Sequence, residues 1–307
     1  AILGLIHVDD GTVRIMGQYS TGLTPAQKEE IGVVLSDSTF SGYLTVKQIS
    51  YIMEKMYHRF DREDFLEKCR KLSIPLNKSL KEFSTGMRAK LKVLLALSHE
   101  AKMLILDEPT SFLDVKHKLE FLTVLRKLVR ERNMAVVMSL HELDLAQKIS
   151  DRVMTVCEGR VDRIGTPEDI FTDEYINRLY NVTEGSYHEA FGAMELPAAK
   201  AAPQVFVIGG GGSGLAMYRK LARLGIPFAT GVLHEHDIDY EAAKYSAAQV
   251  IVEEAFEPIR EETWKKALLC MEQCPEVICC LTHFGTINQG NKILLEAARR
   301  QKKLKNS

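Results

Sequence analysis

Residues 103–114 read Met-Leu-Ile-Leu-Asp-Glu-Pro-Thr-Ser-Phe-Leu-Asp, and few folds accommodate that run. Four consecutive apolar residues fit a strand buried on both faces of a parallel sheet. Two adjacent carboxylates, Asp107 and Glu108, follow at its C-terminal end, where open α/β sheets place their ligands. An acidic residue there can hold a hydrated Mg2+ on a nucleoside triphosphate, and its neighbour can polarise an attacking water. Upstream stands Phe83-Ser84-Thr85-Gly86-Met87. Downstream a second apolar stretch, 135–140, ends in His141.

The surrounding pattern alternates strands with helices, which argues for an α/β fold with a parallel sheet. Residues 11–17 and 31–36 read as strands. Residues 45–80 are charged and helix-periodic, with a break at Pro75. Ser84 opens a helix to about Ser98, with Met87, Leu91, Leu94 and Leu95 on one face. Ser84 and Gly86 thus stand at a helix N-terminus, where free amides favour a phosphate and where Ser is also an ordinary cap. Residues 115–132 form a second amphipathic helix, 153–156 a strand, and Gly165-Thr166-Pro167-Glu168-Asp169 a capped helix start.

An Ala/Pro-rich stretch at 197–203 reads as a linker between a first domain, 1–196, and a second, 204–307. The second is a small Rossmann-like, three-layer α/β unit. Its first strand, 205–208, runs into Gly209, Gly211 and Gly214, a Gly-x-Gly-x-x-Gly turn that opens a helix. Further strands are expected at 228–233, 250–253 and 277–281. Glu235 and Asp237 stand where a dinucleotide fold places its ribose-binding acid. The glycine amides and the helix dipole predict a small anionic metabolite or nucleotide at Gly209–Gly214, with a tight strand–helix turn as the alternative. The terminal stretch from Lys302 reads as a solvated helix end.

In order, the Ser84 turn, the Asp107-Glu108 strand end with Asp114, and His141 resemble three motifs of the ATP-binding cassette (ABC) ATPases, the motor subunits of ABC transporters. These are the signature motif, Walker B with its D-loop, and the switch histidine. The resemblance covers residues 1–196 and implies a partial P-loop NTPase domain of ABC type. It implies ATP and Mg2+ as cofactors, with Asp107 holding the metal through water and Glu108 acting as base. It also implies that His141 senses the terminal phosphate, that Asp114 is the D-loop aspartate, and that Ser84 and Gly86 contact ATP held by a partner subunit. The implied partners are a second ATPase subunit, a homodimer being expected, and transmembrane permease subunits. Together they place the chain in the cytoplasm, peripheral on the inner face of the membrane.

The chain departs from the family at several points. It contains no Gly-x-x-x-x-Gly-Lys-Ser/Thr run, whose amides and lysine cradle phosphates. It opens on Ala1-Ile2-Leu3-Gly4-Leu5, a stretch the family carries on the helix after that loop, so an N-terminally truncated cassette is expected, inactive or nearly so by itself. Thr85 and Met87 replace the usual signature residues, and Phe112 replaces a small one. Ser36 and Asp37 stand where the lid loop carries glutamine. Residues 141–181 look most like iron-siderophore and cobalamin importers, and the C-terminal unit resembles an appendage of some iron-complex cassettes. The signature looks more like exporter-type cassettes. Import of a metal complex ranks first; an exporter motor, or a ligand-binding regulatory protein with a vestigial cassette, stands as the alternative.

Composition narrows the classes further. A net charge of −1 over 307 residues gives no nucleic-acid signal. No apolar run approaches the length of a membrane span. The six cysteines match no zinc spacing, and buried free thiols fit a reducing compartment.

Overall fold

The computed structural model describes residues 2–6, 8–35, 40–111, 113–199 and 201–305. Ser36, Asp37 and Phe112 lie outside them. The chain folds as two compact units, residues 1–149 and 150–307.

The first unit is built on three parallel strands, Ile31–Val34, Met103–Leu106 and Ala135–Met138, with Met103–Leu106 in the middle. As the central strand it is the best covered, and Leu104 and Leu106 are fully buried against Leu125, Met134 and Ala96. Helix Thr85–Leu97 begins at Ser84, whose hydroxyl accepts the Met87 N–H at 3.3 Å. Helix Val115–Arg132 begins at Asp114 and ends at Asn133, which adopts the left-handed conformation common after helices. The charged 45–80 block forms helices Val46–Met56 and Arg62–Lys71 and a short 3-10 turn, Leu80–Glu82. Val46, Ile49, Phe65, Cys69 and Leu91 close a separate core there, which makes this block a helical subdomain. The opening stretch forms turns rather than a helix, and Ile2 and Leu3 pack on Ile15, Leu23 and Ile105.

The second unit carries a five-stranded parallel sheet in the order Gln249–Glu253, Phe228–His234, Val205–Ile208, Glu276–Cys279, Leu304–Lys305. Numbered from its first strand this order is 3-2-1-4-5, that of a Rossmann half, with the reversal beside Val205–Ile208. Alternate residues of that strand feed two cores. Phe206 and Ile208 pack with helices Glu261–Gln273 and Gln289–Arg300, and Val205 and Val207 with helices Leu215–Arg223 and Ile238–Ser246. The expected solvated helix end is instead an edge strand, because Leu304 and Lys305 pair with Val277 and Ile278.

Residues 150–199 belong to this unit as well. Their hairpin Val153–Cys157/Arg160–Gly165 and helix Asp173–Leu179 precede the 197–203 stretch. Tyr245 donates its hydroxyl to Asp173, and His188 Nε2 donates to the Glu241 carbonyl at 2.7 Å. The compact boundary therefore falls at 149/150, whereas composition places one at 197–203.

Candidate active site

Strand pairing brings Asp107, Glu108 and His141 together. Met103–Leu106 and Ala135–Met138 run parallel in register, so the residues that follow them emerge side by side. Ser139, just past the second strand, joins both carboxylate residues. Its Oγ accepts the Glu108 N–H at 2.8 Å, and its hydroxyl donates to Asp107 Oδ1 at 2.8 Å. Glu108 sits at a positive φ of 45°, uncommon for a residue that carries a side chain. There His141 Nε2 lies 2.7 Å from Glu108 Oε1, and the Ser111 hydroxyl donates to Oε2 at 3.1 Å.

The electrostatics follow from these contacts. The His141 bond, then that of Ser111, holds the Glu108 carboxyl below its ordinary range. Glu108 in turn raises the His141 imidazole above its own. The site therefore presents an ionised carboxylate with both oxygens directed and, beside it, an imidazole inclined to carry a proton. Adjacent carboxylate oxygens are hard donors and fit Mg2+ better than a soft metal.

Ser84, Gly86 and Asp114 form a second group. Asp114 accepts the His117 N–H at 2.9 Å, and His117 Nδ1 lies 2.9 Å from both its oxygens. The backbone bond first and the ring bond second keep the Asp114 carboxyl low. A Cβ placed on Gly86 would lie 3.9 Å from the His117 ring. His117 is thus bonded to Asp114 and lies beside Gly86, a neighbourhood that no motif spacing announces. In this arrangement Ser84 and Asp114 both serve as helix caps.

The glycine turn of the second unit departs from expectation. Its amides already hold anions, supplied by the chain itself. Gly210 N–H donates to Asp239 Oδ2 at 2.6 Å, Gly214 N–H to the same oxygen at 3.0 Å, and Gly211 N–H to Asp237 Oδ2 at 2.8 Å. Asp239 is fully buried, so an anionic metabolite on Gly211 and Gly214 would have to displace a side chain with no solvent to enter. Gly209 and Gly214 are glycines for packing: a Cβ would come within 2.6 Å of the Tyr218 hydroxyl at the first and 2.4 Å of its ring at the second. Glu235 is exposed and bonds through its main chain to Glu253. Asp237 caps helix Ile238–Ser246. These pairings fit the tight-turn alternative. An Asp-x-Asp pair opening the next helix was the available signal.

Sequence reasoning also missed Ser139, Ser111, Thr110, Lys118 and Glu142. The Thr110 hydroxyl donates to Glu142 Oε2 at 3.1 Å and Lys118 Nζ to Glu142 Oε1 at 2.5 Å. Among the described residues no cluster of three or more His, Cys, Asp or Glu side chains could hold a metal by itself, and no helix is long and apolar enough to cross a membrane.

Comparison with known proteins gives two family matches, the ABC transporter family over residues 1–111 and the MJ0874 family over 228–305. The uncharacterized ABC transporter ATP-binding protein MJ0873 of Methanocaldococcus jannaschii is 35% identical over 227 residues, covering 69% of this chain and 77% of that protein. The cobalamin import ATP-binding protein BtuD of Halobacterium salinarum is 31% identical over 270 residues, covering 80% of this chain and 65% of its own length. The ferric enterobactin transport ATP-binding protein FepC of Escherichia coli is 27% identical over 161 residues, 50% of this chain and 59% of its own. The chain therefore spans less than two thirds of the last two.

Proposed function

The chain belongs to the ATP-binding subunits of ABC transporters, and on that footing we propose that Asp107, Glu108 and His141 serve an ATP hydrolysis that drives import of a metal chelate. Asp107 is the Mg2+ ligand through water, Glu108 the general base and His141 the sensor of the terminal phosphate. Asp107 would hold Mg2+ through water, and the ion would neutralise charge on the phosphate oxygens of ATP, whose terminal phosphorus is the electrophile. Every other contribution comes from the chain. Glu108 is kept ionised by His141 and Ser111 and so has a lone pair for the proton of a water. Ser139 fixes Asp107 relative to Glu108 through one hydroxyl. His141 Nε2, whose imidazole Glu108 inclines to hold a proton, faces Glu108 at the strand end, where a terminal-phosphate oxygen would compete for it.

The observation that carries this reading is the 2.7 Å Glu108–His141 contact at the C-terminal ends of two adjacent parallel strands. The chain contributes the metal-binding and water-activating part of such a site, since its sequence holds no phosphate-cradling lysine loop. The chain acts at the cytoplasmic face of the membrane, with permease subunits and a second ATPase subunit. Relatives named for cobalamin import and ferric enterobactin transport support a bulky metal chelate as cargo.

The test is Glu108→Gln in the assembled transporter. The amide keeps the shape but cannot take a proton, so ATP turnover falls to background while ATP binding persists. Unchanged turnover overturns the assignment of the base. Uptake of labelled cobalamin and of a ferric siderophore by the active transporter tests the cargo, and uptake of neither overturns the chelate reading.

A further inference from the structure

Glu142 belongs to none of the three motifs, yet three elements converge on it. Its Oε2 accepts the hydroxyl of Thr110, the last residue of the Asp-Glu-Pro-Thr turn, at 3.1 Å. Its Oε1 accepts Lys118 Nζ, from the first turns of the helix that Asp114 caps, at 2.5 Å. Its carbonyl accepts the Ala146 N–H at 3.0 Å, which starts helix Leu143–Ile149. Thr110 is 1% exposed, so its hydroxyl needs a partner inside the protein, and Glu142 supplies one. An exposed Lys–Glu pair is worth little. This one is half-buried and shared with a buried hydroxyl, so its geometry is held.

The next residue back is His141. Its side chain is 75% exposed, so packing does not fix it. Apart from the Glu108 bond, the ring goes where its main chain puts it, and that main chain is pinned one residue later by Glu142. We propose that Glu142 is a positioning residue, whose carboxylate locks the His141 loop to the Asp114-capped helix and so holds His141 in register with Glu108. This rests on the roles given to His141 and Glu108 above. It adds the contact that fixes the main chain of His141 against the helix beside the catalytic pair.

The test reads His141 in the purified chain by 15N NMR of labelled histidine and needs no turnover. His141 is faced by Glu108, Glu142 and Asp107. Lys118→Met separates two explanations by sign. Loss of a nearby cation acting through charge alone raises the His141 titration midpoint. Loss of the tether weakens the Glu108 bond and lowers it toward the ordinary imidazole value. Thr110→Val changes no charge, and by the same tether argument shifts the Nε2 resonance toward that of free imidazole, whereas Thr110→Ser and Lys118→Arg keep the native signal. A midpoint that rises or stays put in Lys118→Met overturns the proposal, and that variant decides alone if Thr110→Val does not fold. A chain that binds no nucleotide still gives these shifts, so failure of the ATPase reading is separable from failure of this one.

Discussion

His141 Nε2 lies 2.7 Å from Glu108 Oε1 across two parallel strands, and each group moves the other's protonation in the direction that favours an ion pair. The signs define a window. The imidazole is raised above 6.5, so its contribution is complete below that value and is lost as pH rises through the raised one. The carboxyl is lowered below 4.5, so its contribution is complete above that value and is lost as pH falls through the lowered one. The pair is fully charged between the two shifted values. Glu108→Gln is expected to bring the His141 midpoint back toward 6.5 in an NMR titration, with little change in melting temperature because both groups meet solvent. A native His141 that already titrates at the ordinary value would mean that the contact is not populated.

Ser139 offers a structural test of the same cluster. Its hydroxyl is both acceptor for the Glu108 N–H and donor to Asp107. Ser139→Ala removes that partner at an exposed position where water can replace it, at a cost of about 0.5–1 kcal/mol. Ser139→Thr keeps the hydroxyl and most of the stability. Urea denaturation measures both; equal stability of alanine and serine at this position shows that the bridge contributes nothing.

What could be read ahead of the structure was local. Met103–Leu106 is a strand because four apolar residues precede two acids, and Val115–Arg132 is a helix because Asp114 caps an apolar period. The carboxylates and the histidine were legible because their chemistry is tied to strand ends. Ser139, Thr110 and Glu142 were not, because their partners lie tens of residues away and a lone hydroxyl has no periodicity. The glycine turn was only partly legible, for a related reason. Its spacing announces free amides, but only the fold reveals that Asp237 and Asp239 reach back from the next helix to use them. The tail from Lys302 looked solvated by charge, and two pairings with Val277 and Ile278 make it a strand.

Asp239 should therefore behave as a structural anion. Asp239→Ala leaves the Gly210 and Gly214 amides unpaired beneath a buried surface, a loss of about 2–4 kcal/mol. Asp239→Asn keeps one acceptor and loses less. Burial, the largest influence, raises the Asp239 carboxyl above 3.8 despite the amide bonds. Between 3.8 and the raised value the folded chain binds the extra proton, so native stability falls as pH rises through that window. The asparagine variant lacks this slope, and its stability relative to the native chain improves as pH rises. Denaturation curves across the acid range read the difference. A phosphate-induced stabilisation of the native chain that is abolished by Gly211→Val would instead restore the anion-site reading.

Glu253 makes the opposite case, a buried carboxylate kept charged. Its side chain is 0% exposed, and Arg260 reaches it with Nη2 at 2.6 Å and Nε at 2.9 Å, while the Arg260 and Glu254 amides donate at 2.9 and 3.1 Å. Burial pushes the carboxyl up, but these donors together overrule it and bring it down to about 2. Its stabilisation is complete above 4.5 and disappears as pH falls toward about 2. Arg260→Met strands a buried charge, which costs about 3–5 kcal/mol near neutral pH. The stranded carboxyl then protonates more readily, so the gap between variant and native stability narrows as the solution is acidified. Arg260→Lys keeps the charge without the planar fork and falls between the two. Glu253→Gln combined with Arg260→Met removes both charges and recovers most of the loss. Chemical denaturation at several pH values completes the double-mutant cycle. A loss from Arg260→Met that is the same at every pH, and is not relieved by Glu253→Gln, assigns the effect to packing of the arginine stem and not to its charge.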